Sequence, residues 1–284
     1  TRKGDYGNNK AAKLEIRNSV FKNNEALGTD VKSLTETQQQ EYTGKGGAIY
    51  NAFYGSKSDP VRVTVSGTQF ENNKAIYGGA IYNEYSGTVA ETTTDVARIA
   101  ISDATFTGNS ATAEGGAIYN AAGSEIVFNG TNTFSGNTAN GVANDIYNDG
   151  TITVASGETV LDGGITGKGT VDVDGGKLVA ATIHTNANTI NLNSGTLQTG
   201  SDQVMQVALD ADGTVTDAAG LKEGAGVTYT GGELALTDAK YNLDYAKSVA
   251  NAINNNNATA VTMLGELVGQ TGPVSVGDLD GAGL

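Results

Sequence analysis

The sequence predicts an all-β protein built as a parallel β-helix, a solenoid in which short strands stack coil upon coil. Three observations carry this prediction. Gly accounts for 40 of 284 residues and Pro for only 2, so the turns are numerous and depend on Gly and Asn. Short alternating apolar runs, such as those at 61–65 and 151–154, are typical of half-buried strands. Two short motifs also recur in strict alternation, as expected of stacked repeats.

The first motif is Phe-x-x-Asn, which occurs four times in the first half of the chain. Successive coils of a solenoid place equivalent positions ~4.8 Å apart, so the phenylalanines are expected to stack along one inner wall. The asparagines are expected to bond turn backbone and to form a ladder of identical side chains. The residues concerned are Phe21, Asn24, Phe70, Asn73, Phe106, Asn109, Phe134 and Asn137.

The second motif is Gly-Gly-Ala-Ile-Tyr-Asn, with three full copies and a degenerate fourth copy at 144–148. The isoleucines are expected to point inward, and the paired glycines to lie where the backbone bends tightly or another coil comes close. These residues are interpreted as structural and not catalytic. They are Gly46, Gly47, Ile49, Asn51, Gly78, Gly79, Ile81, Asn83, Gly115, Gly116, Ile118, Asn120, Ile146 and Asn148.

Unequal spacing of the repeats predicts projecting loops. The motif isoleucines are 32, 37 and 28 residues apart, and the shortest spacing approximates one bare coil. The excess predicts loops at 27–45 and 84–97. Loops on a rigid scaffold often carry recognition, although each of these could also be a tolerated insertion.

The second half keeps strands and Gly-rich turns but loses both motifs. Strands are expected at 151–155, 159–161, 169–173, 177–181, 189–192 and 196–198. The predicted division is a parallel β-helix over 1–200, with the motif repeats at 14–148 and plainer coils at 150–200, then final coils and a helical cap over 201–270, and an acidic tail or linker at 271–284. The cap is placed at 237–268, because a raw solenoid end exposes unpaired strand edges.

The charge distribution excludes one class of partner and suggests another. A net charge of −14 offers no broad basic surface, so nucleic acid is excluded as a general partner. Residues 1–22 carry +4 and residues 201–284 carry −8. This asymmetry suggests a homo-oligomer formed by end-to-end stacking, although it is also compatible with an acidic linker to a further domain.

Candidate catalytic groups are few. Cys is absent, which removes thiol chemistry and Cys-ligated metals. Asp172 and Asp174 alternate with valines and form the best carboxylate pair for a polysaccharide lyase or glycoside hydrolase, but outward polarity alone explains them. His184 has no partner that the sequence identifies. We therefore expect neither an enzyme nor a cofactor.

Two Asp-x-Asp-Gly stretches, at 210–213 and 278–281, are weak candidates for calcium binding. Neither continues with the ligand spacing of an EF-hand, and no stretch matches the calcium-binding β-roll repeat. We expect no metal site.

The paired motifs resemble those of the chlamydial polymorphic outer-membrane proteins and related autotransporter passengers, whose repeats combine Gly-Gly-Ala-Ile with Phe-x-x-Asn. The resemblance covers residues 14–148. It implies a right-handed β-helix exposed on the bacterial cell surface, associated with the outer membrane and used in adhesion. Any contact with a membrane is expected through a part of the protein outside this chain.

The function expected from these features is that of a cell-surface stalk that displays loops for adhesion or cell–cell contact. Its partner would be a ligand on a host or bacterial surface. One alternative is a subunit of an extracellular filament that assembles head to tail. The other is a β-helical polysaccharide lyase or glycoside hydrolase.

Overall fold

The computed structural model describes residues 13–26, 28, 44–53, 61–85, 97–180, 182–183 and 188–199, with strand segments at 208–209, 215–216, 225–229 and 233–236. Every regular element within these residues is a β-strand. None of them forms a helix long and apolar enough to cross a membrane. The predicted helical cap and the acidic tail lie outside the described residues.

The strands form four walls, numbered here in the order in which the chain visits them within one coil. Wall 1 contains β1 (Leu14–Arg17), β5 (Val61–Ser66), β9 (Ala97–Ser102), β13 (Ser124–Asn129) and β18 (Thr151–Val154). Wall 2 contains β2 (Val20–Lys22), β6 (Gln69–Glu71), β10 (Thr105–Thr107), β14 (Thr131–Ser135) and β19 (Glu158–Leu161). Wall 3 contains β3 (Glu25–Ala26), β7 (Lys74–Tyr77), β11 (Ser110–Glu114), β15 (Thr138–Ala139) and β16 (Val142–Ala143). Wall 4 contains β4 (Ile49–Phe53), β8 (Ile81–Tyr85), β12 (Ile118–Asn120), β17 (Ile146–Asn148) and β20 (Ile165–Thr166).

Successive coils pair in parallel throughout these walls. In wall 4, for example, β12 pairs in register with β8 on one side and with β17 on the other. In wall 2, β10 pairs in the same way with β6 and β14. For the residues that the structure describes, the prediction of β-strands stacked in parallel is therefore confirmed.

The coils become simpler after the fourth. Strand β16 folds back antiparallel onto β15 and ends wall 3, and the fifth coil passes from β19 to β20 without a wall 3 strand. The next coils are formed by β21 (Thr170–Ala180) and β22 (Asn188–Thr199), each of which spans walls 1 and 2.

Each of these long strands replaces two strands that the sequence analysis expected to be separate. The predicted break at Gly175 and Gly176 is a bend within β21, where the register of its pairing with β22 shifts. The bend keeps the strand continuous because Gly175 adopts a φ of 103°, which favours glycine. Beyond β22 lie β25 (Ala225–Tyr229) and β26 (Glu233–Leu236), which pair with β22 in parallel, and an antiparallel pair, β23 (Ala208–Leu209) with β24 (Val215–Thr216).

The core is a set of apolar columns that run along the solenoid axis. Alternation along each strand sends every second side chain inward, so equivalent inward positions stack from coil to coil. Burial of each large side chain contributes about 1.5–3 kcal/mol. One wall 1 column consists of Val63, Ile99, Ile126, Ile152, Val171 and Ile190, all of which are buried.

The paired glycines are required by close backbone approach. A Cβ on Gly79 would lie 2.1 Å from the carbonyl oxygen of Gly116 in the next coil. Gly78 has a φ of 63°, and a Cβ there would lie 2.1 Å from the carbonyl oxygen of Ile81. The first glycine of the motif thus makes the turn, and the second allows the coils to pack at strand spacing.

Candidate binding site

The motif phenylalanines form one continuous stack on the inner side of wall 2. Ring centroids are 5.2 Å apart for Phe21 and Phe70, 4.6 Å for Phe70 and Phe106, and 4.4 Å for Phe106 and Phe134. The planes of these rings differ by at most 7°. Phe134 is followed in register by Leu161, so the aromatic stack ends where wall 3 also ends.

The asparagines of the first motif form an inner ladder at the corner between walls 2 and 3. Each Nδ2 donates to the Oδ1 of the next asparagine, at 2.8 Å from Asn24 to Asn73, 2.9 Å from Asn73 to Asn109 and 3.0 Å from Asn109 to Asn137. The Nδ2 of Asn137 then donates to the Asp145 carboxylate at 2.8 Å. A buried carboxylate is therefore the final acceptor of this ladder.

The asparagines of the second motif form another ladder inside wall 4. Nδ2 donates to the next Oδ1 at 2.8 Å from Asn51 to Asn83, 2.9 Å from Asn83 to Asn120 and 2.8 Å from Asn120 to Asn148. The ladder ends on the backbone carbonyl of Thr170. Both ladders satisfy polar groups inside the solenoid, so the structure places these residues in the scaffold.

Tyrosines form an outward column on wall 4. They lie between the inward Ile and Asn of each motif copy, so strand alternation turns them to the outer face. The tyrosine column consists of Tyr50, Tyr82, Tyr119 and Tyr147. Ring centroids are 4.7 Å apart for Tyr82 and Tyr119 and 4.8 Å for Tyr119 and Tyr147. The exposed fraction falls from 46% at Tyr50 to 7% at Tyr82, so the column is exposed at one end and covered in the middle.

Charged side chains flank the first two tyrosines. Lys45 Nζ lies 3.1 Å from Glu84 Oε2 and 4.8 Å from the centroid of the Tyr82 ring. The Tyr50 hydroxyl donates to the same Glu84 oxygen at 2.6 Å. This end of the column therefore holds a buried cation between aromatic rings and a carboxylate.

The other end of the column carries acidic groups. Burial, followed by the nearby Asp149, raises the pKa of Glu114 above its ordinary value. Burial also raises the pKa of the Tyr147 hydroxyl to about 12, with further contributions from Glu114 and Asp149. Burial raises the pKa of Tyr119 as well. These directions indicate a partly desolvated negative patch beside the last two rings.

The two predicted recognition loops lie outside the described residues except at their ends. Lys45, at the end of the first loop, precedes the wall 4 strand β4, and Glu84, at the start of the second loop, lies within the wall 4 strand β8. Three residues, Ala121 to Gly123, connect wall 4 to wall 1 after the third coil. The equivalent connection after the second coil is the longer segment 86–96. Both loops therefore join the coil beside wall 4.

The candidate catalytic carboxylates make contacts between coils. Asn191 Nδ2 donates to Asp172 Oδ1 at 2.6 Å, and Ser194 Oγ donates to Asp174 Oδ1 at 3.2 Å. His184 and both Asp-x-Asp-Gly stretches lie outside the described residues. Within the part of the chain that the structure describes, no group of three or more metal-ligating side chains occurs.

Sequence reasoning identified the repeat residues but missed three features of the outer surface and the ladder end. It did not assign a surface to the tyrosines, although the Ile-Tyr-Asn alternation is a sufficient signal for their outward direction. It did not pair Lys45 with Glu84, which are 39 residues apart. It treated Asp145 as part of a degenerate motif, whereas this residue ends the inner ladder.

The comparisons with known proteins agree with the repeat pattern. The family model of the Chlamydia polymorphic membrane protein repeat matches residues 18–52, 67–84 and 103–121. These matches cover walls 2 to 4 of the first three coils, and the degenerate fourth copy follows them in the same strand register. No curated protein and no solved structure matches the chain significantly. Three stretches in the first half of this chain are therefore similar to the repeat of the Chlamydia polymorphic membrane protein family.

Proposed function

We propose that this chain is a surface-exposed β-solenoid of an outer-membrane protein, which presents wall 4 and its two flanking loops for adhesion. The observation that carries this proposal is that the loops at 27–45 and 84–97 join the coil beside wall 4, which carries the tyrosine column. The matched repeat family supports a location at the outer membrane and the cell surface.

The interior supports a role as a rigid scaffold. The described ladders are continuous, and their asparagines are buried apart from the first one in each, Asn24 and Asn51, which favours one stable shape from which loops can project. Asp172 and Asp174 both accept hydrogen bonds from the neighbouring coil, which supports a structural role for these two carboxylates.

Two finer features of the architecture belong to the same proposal. A right-handed solenoid follows from the strong preference for right-handed crossovers between parallel strands. Helices at 237–268 would cover the strand edges of the last coil, as the sequence predicts.

The adhesive role is tested by the binding of chain-coated beads to epithelial cells, with albumin-coated beads as the reference. Three residues join Asn120 to Ser124 in the third coil. Replacing residues 86–96 with one glycine leaves three residues between Asn83 and Ala97, so the shortened variant matches that turn. The first loop is shortened in the same way. Ala26 pairs with Ala75 and Lys45 pairs with Tyr77, and only Ile76 lies between Ala75 and Tyr77. One residue in place of 27–44 therefore gives a connection of the same length.

The expected result is that chain-coated beads bind cells more than albumin-coated beads and that at least one shortened variant loses most of this binding. Each variant must keep the β circular dichroism of the parent chain. Beads that bind no better than albumin, or folded variants that both bind like the parent, would contradict the proposal.

A second candidate, end-to-end association, is favoured by the first coil. Leu14 is 50% exposed, although the next residue in its inward column, Val63, is 5% exposed. The first coil thus presents apolar side chains that a further coil would cover. Negative-stain electron microscopy at low and high salt tests this function. Filaments at either salt concentration would support it, and isolated rods at both salt concentrations would exclude it.

A further inference from the structure

A cleft of about 400 Å³ opens on the outer surface where wall 3 ends. It forms because β16 folds back onto β15, and the fifth coil supplies no wall 3 strand beyond it. Its lining includes Glu114, Val142, Tyr147, Thr166 and Lys168. Val142 is 68% exposed, so the cleft has an apolar rim that is open to solvent.

The floor of the cleft is the last ring of the tyrosine column. One face of Tyr147 stacks on Tyr119. The next position in register is Thr166, which has no ring, so no fifth ring of the column covers the other face of Tyr147. The cleft therefore lies where a further planar group would continue the stack.

The charges around this floor favour a cation. Glu114 lines one side, and Asp149 is close enough to contribute to the raised pKa values of both Glu114 and Tyr147. Within the described residues, Glu114 forms no salt bridge. Lys168 also lines the cleft, and its backbone N–H donates to Asp149 Oδ1.

The opposite end of the same column shows an occupied version of this arrangement. There Lys45 Nζ lies over Tyr82 and pairs with Glu84. Glu84 and Asp149 both follow the motif asparagine, and Glu114 and Lys45 both pair with Tyr77 in wall 3. The end of the column at Tyr147 thus has an aromatic ring and carboxylates. Glu114 occupies the position there that the cation Lys45 occupies at the other end.

We propose that this cleft binds the guanidinium group of an arginine side chain on a partner polypeptide, stacked on Tyr147 and paired with Glu114. A planar guanidinium can stack on an aromatic face and bond a carboxylate through two N–H groups, which an ammonium cannot do. The net charge of −14 favours a basic partner. The loop-shortened variants keep Glu114 and Tyr147, so this proposal and the adhesive role of the loops are tested separately.

The test measures binding of two small probes to the full chain by saturation-transfer NMR. The probes are acetyl-arginine amide and acetyl-citrulline amide, which have similar shapes but differ in charge. The arginine probe is expected to bind at least about tenfold more tightly than the citrulline probe, a ratio equivalent to about 1.4 kcal/mol.

Variants locate the binding. Glu114→Gln removes the proposed counterion and is expected to weaken binding of the arginine probe about tenfold. Tyr147→Thr removes the ring and introduces the residue type that the next coil has at this position, Thr166. It should weaken binding of the arginine probe to a similar extent. Glu158→Gln on wall 2 changes the net charge equally and should leave binding unchanged.

Equal binding of the two probes would overturn the proposal, as would equal losses in the Glu114→Gln and Glu158→Gln variants. If Tyr147→Thr reduces the β circular dichroism signal, its loss of binding reflects misfolding. The comparison of Glu114→Gln with Glu158→Gln then tests the proposal without it.

Discussion

Asn137 Nδ2 donates a 2.8 Å hydrogen bond to the carboxylate of Asp145, and at this contact the inner asparagine ladder stops. Asp145 occupies the position that alanine holds in the three full Gly-Gly-Ala-Ile copies. The fifth coil lacks a Phe-x-x-Asn motif, so no further asparagine is available to accept from Asn137. The other carboxylate oxygen accepts the backbone N–H of Gly163 at 2.7 Å.

This carboxyl should make stability depend on pH. Burial raises the pKa of Asp145 from 3.8 to about 6, although the bonds from Asn137 and Gly163 act in the opposite direction. The folded chain therefore binds this proton more tightly than the unfolded chain. Its contribution to stability is present below about pH 4 and is lost as the pH rises through about 6.

Urea unfolding of the parent and of Asp145→Ala at pH 7 and pH 4.5 measures this effect. Between these two values the parent should gain about 2 kcal/mol relative to the variant. The difference between the proteins removes contributions from carboxylates that both share. A parent that gains nothing relative to the variant would show that Asp145 has an ordinary pKa in the folded chain.

Replacement of the second motif glycine should be more harmful than replacement of a turn glycine. Gly79→Ala places a Cβ 2.1 Å from the carbonyl oxygen of Gly116, so two coils must separate. We expect a loss of roughly 3 kcal/mol. Gly136→Ala meets no atom within 4 Å and has only its φ of 62° to maintain, at a cost of about 1–2 kcal/mol. Urea midpoints of the two variants should rank in this order, and the reverse order would contradict the packing role of Gly79.

The inner ladder should be most sensitive in its middle. Asn109 donates to Phe70 O and Asn137 Oδ1 and accepts from both nitrogens of Asn73. Asn109→Ala strands several buried partners, so we expect a loss of about 3 kcal/mol or more. Asn24→Ala, at the open end of the ladder, should cost about 1 kcal/mol. Thermal unfolding followed by circular dichroism compares them, and equal losses would indicate that the ladder does not act as a connected unit.

The buried ion pair on wall 4 should behave differently from an exposed one. The Lys45 side chain is 9% exposed and that of Glu84 is 21% exposed. Lys45→Met leaves a poorly solvated carboxylate and should cost about 3 kcal/mol, part of which the double variant with Glu84→Gln should restore. Lys22→Met breaks a pair whose Lys side chain is 54% exposed and should cost less than about 1 kcal/mol.

Chemical denaturation of these variants in one buffer provides the measurement. A double variant that is less stable than Lys45→Met alone would show that Glu84 contributes through its other contact, the hydrogen bond from Tyr50.

The sequence by itself determined the coil pattern of this protein. The motif spacing and the Ile-Tyr-Asn alternation place Ile81 and Asn83 inside and Tyr82 outside, because side chains of a strand alternate between its faces. The recurrence of Phe-x-x-Asn likewise predicted the stack that contains Phe70 and Phe106, since equivalent positions of parallel coils fall in register.

Only the tertiary structure decided where the walls end and which charges meet. Asn140 and Gly141, both with a positive φ, are a local hairpin signal for the fold-back of β16 onto β15. The cleft beside Tyr147 has no such local signal, because it depends on the wall 3 strand that the next coil lacks. The pairing of Lys45 with Glu84 and of Asn137 with Asp145 also depends on stacking between coils. Alternation along a strand sets the direction of each side chain. The residue that it meets in the next coil depends on the number of residues in that coil, which differs from coil to coil.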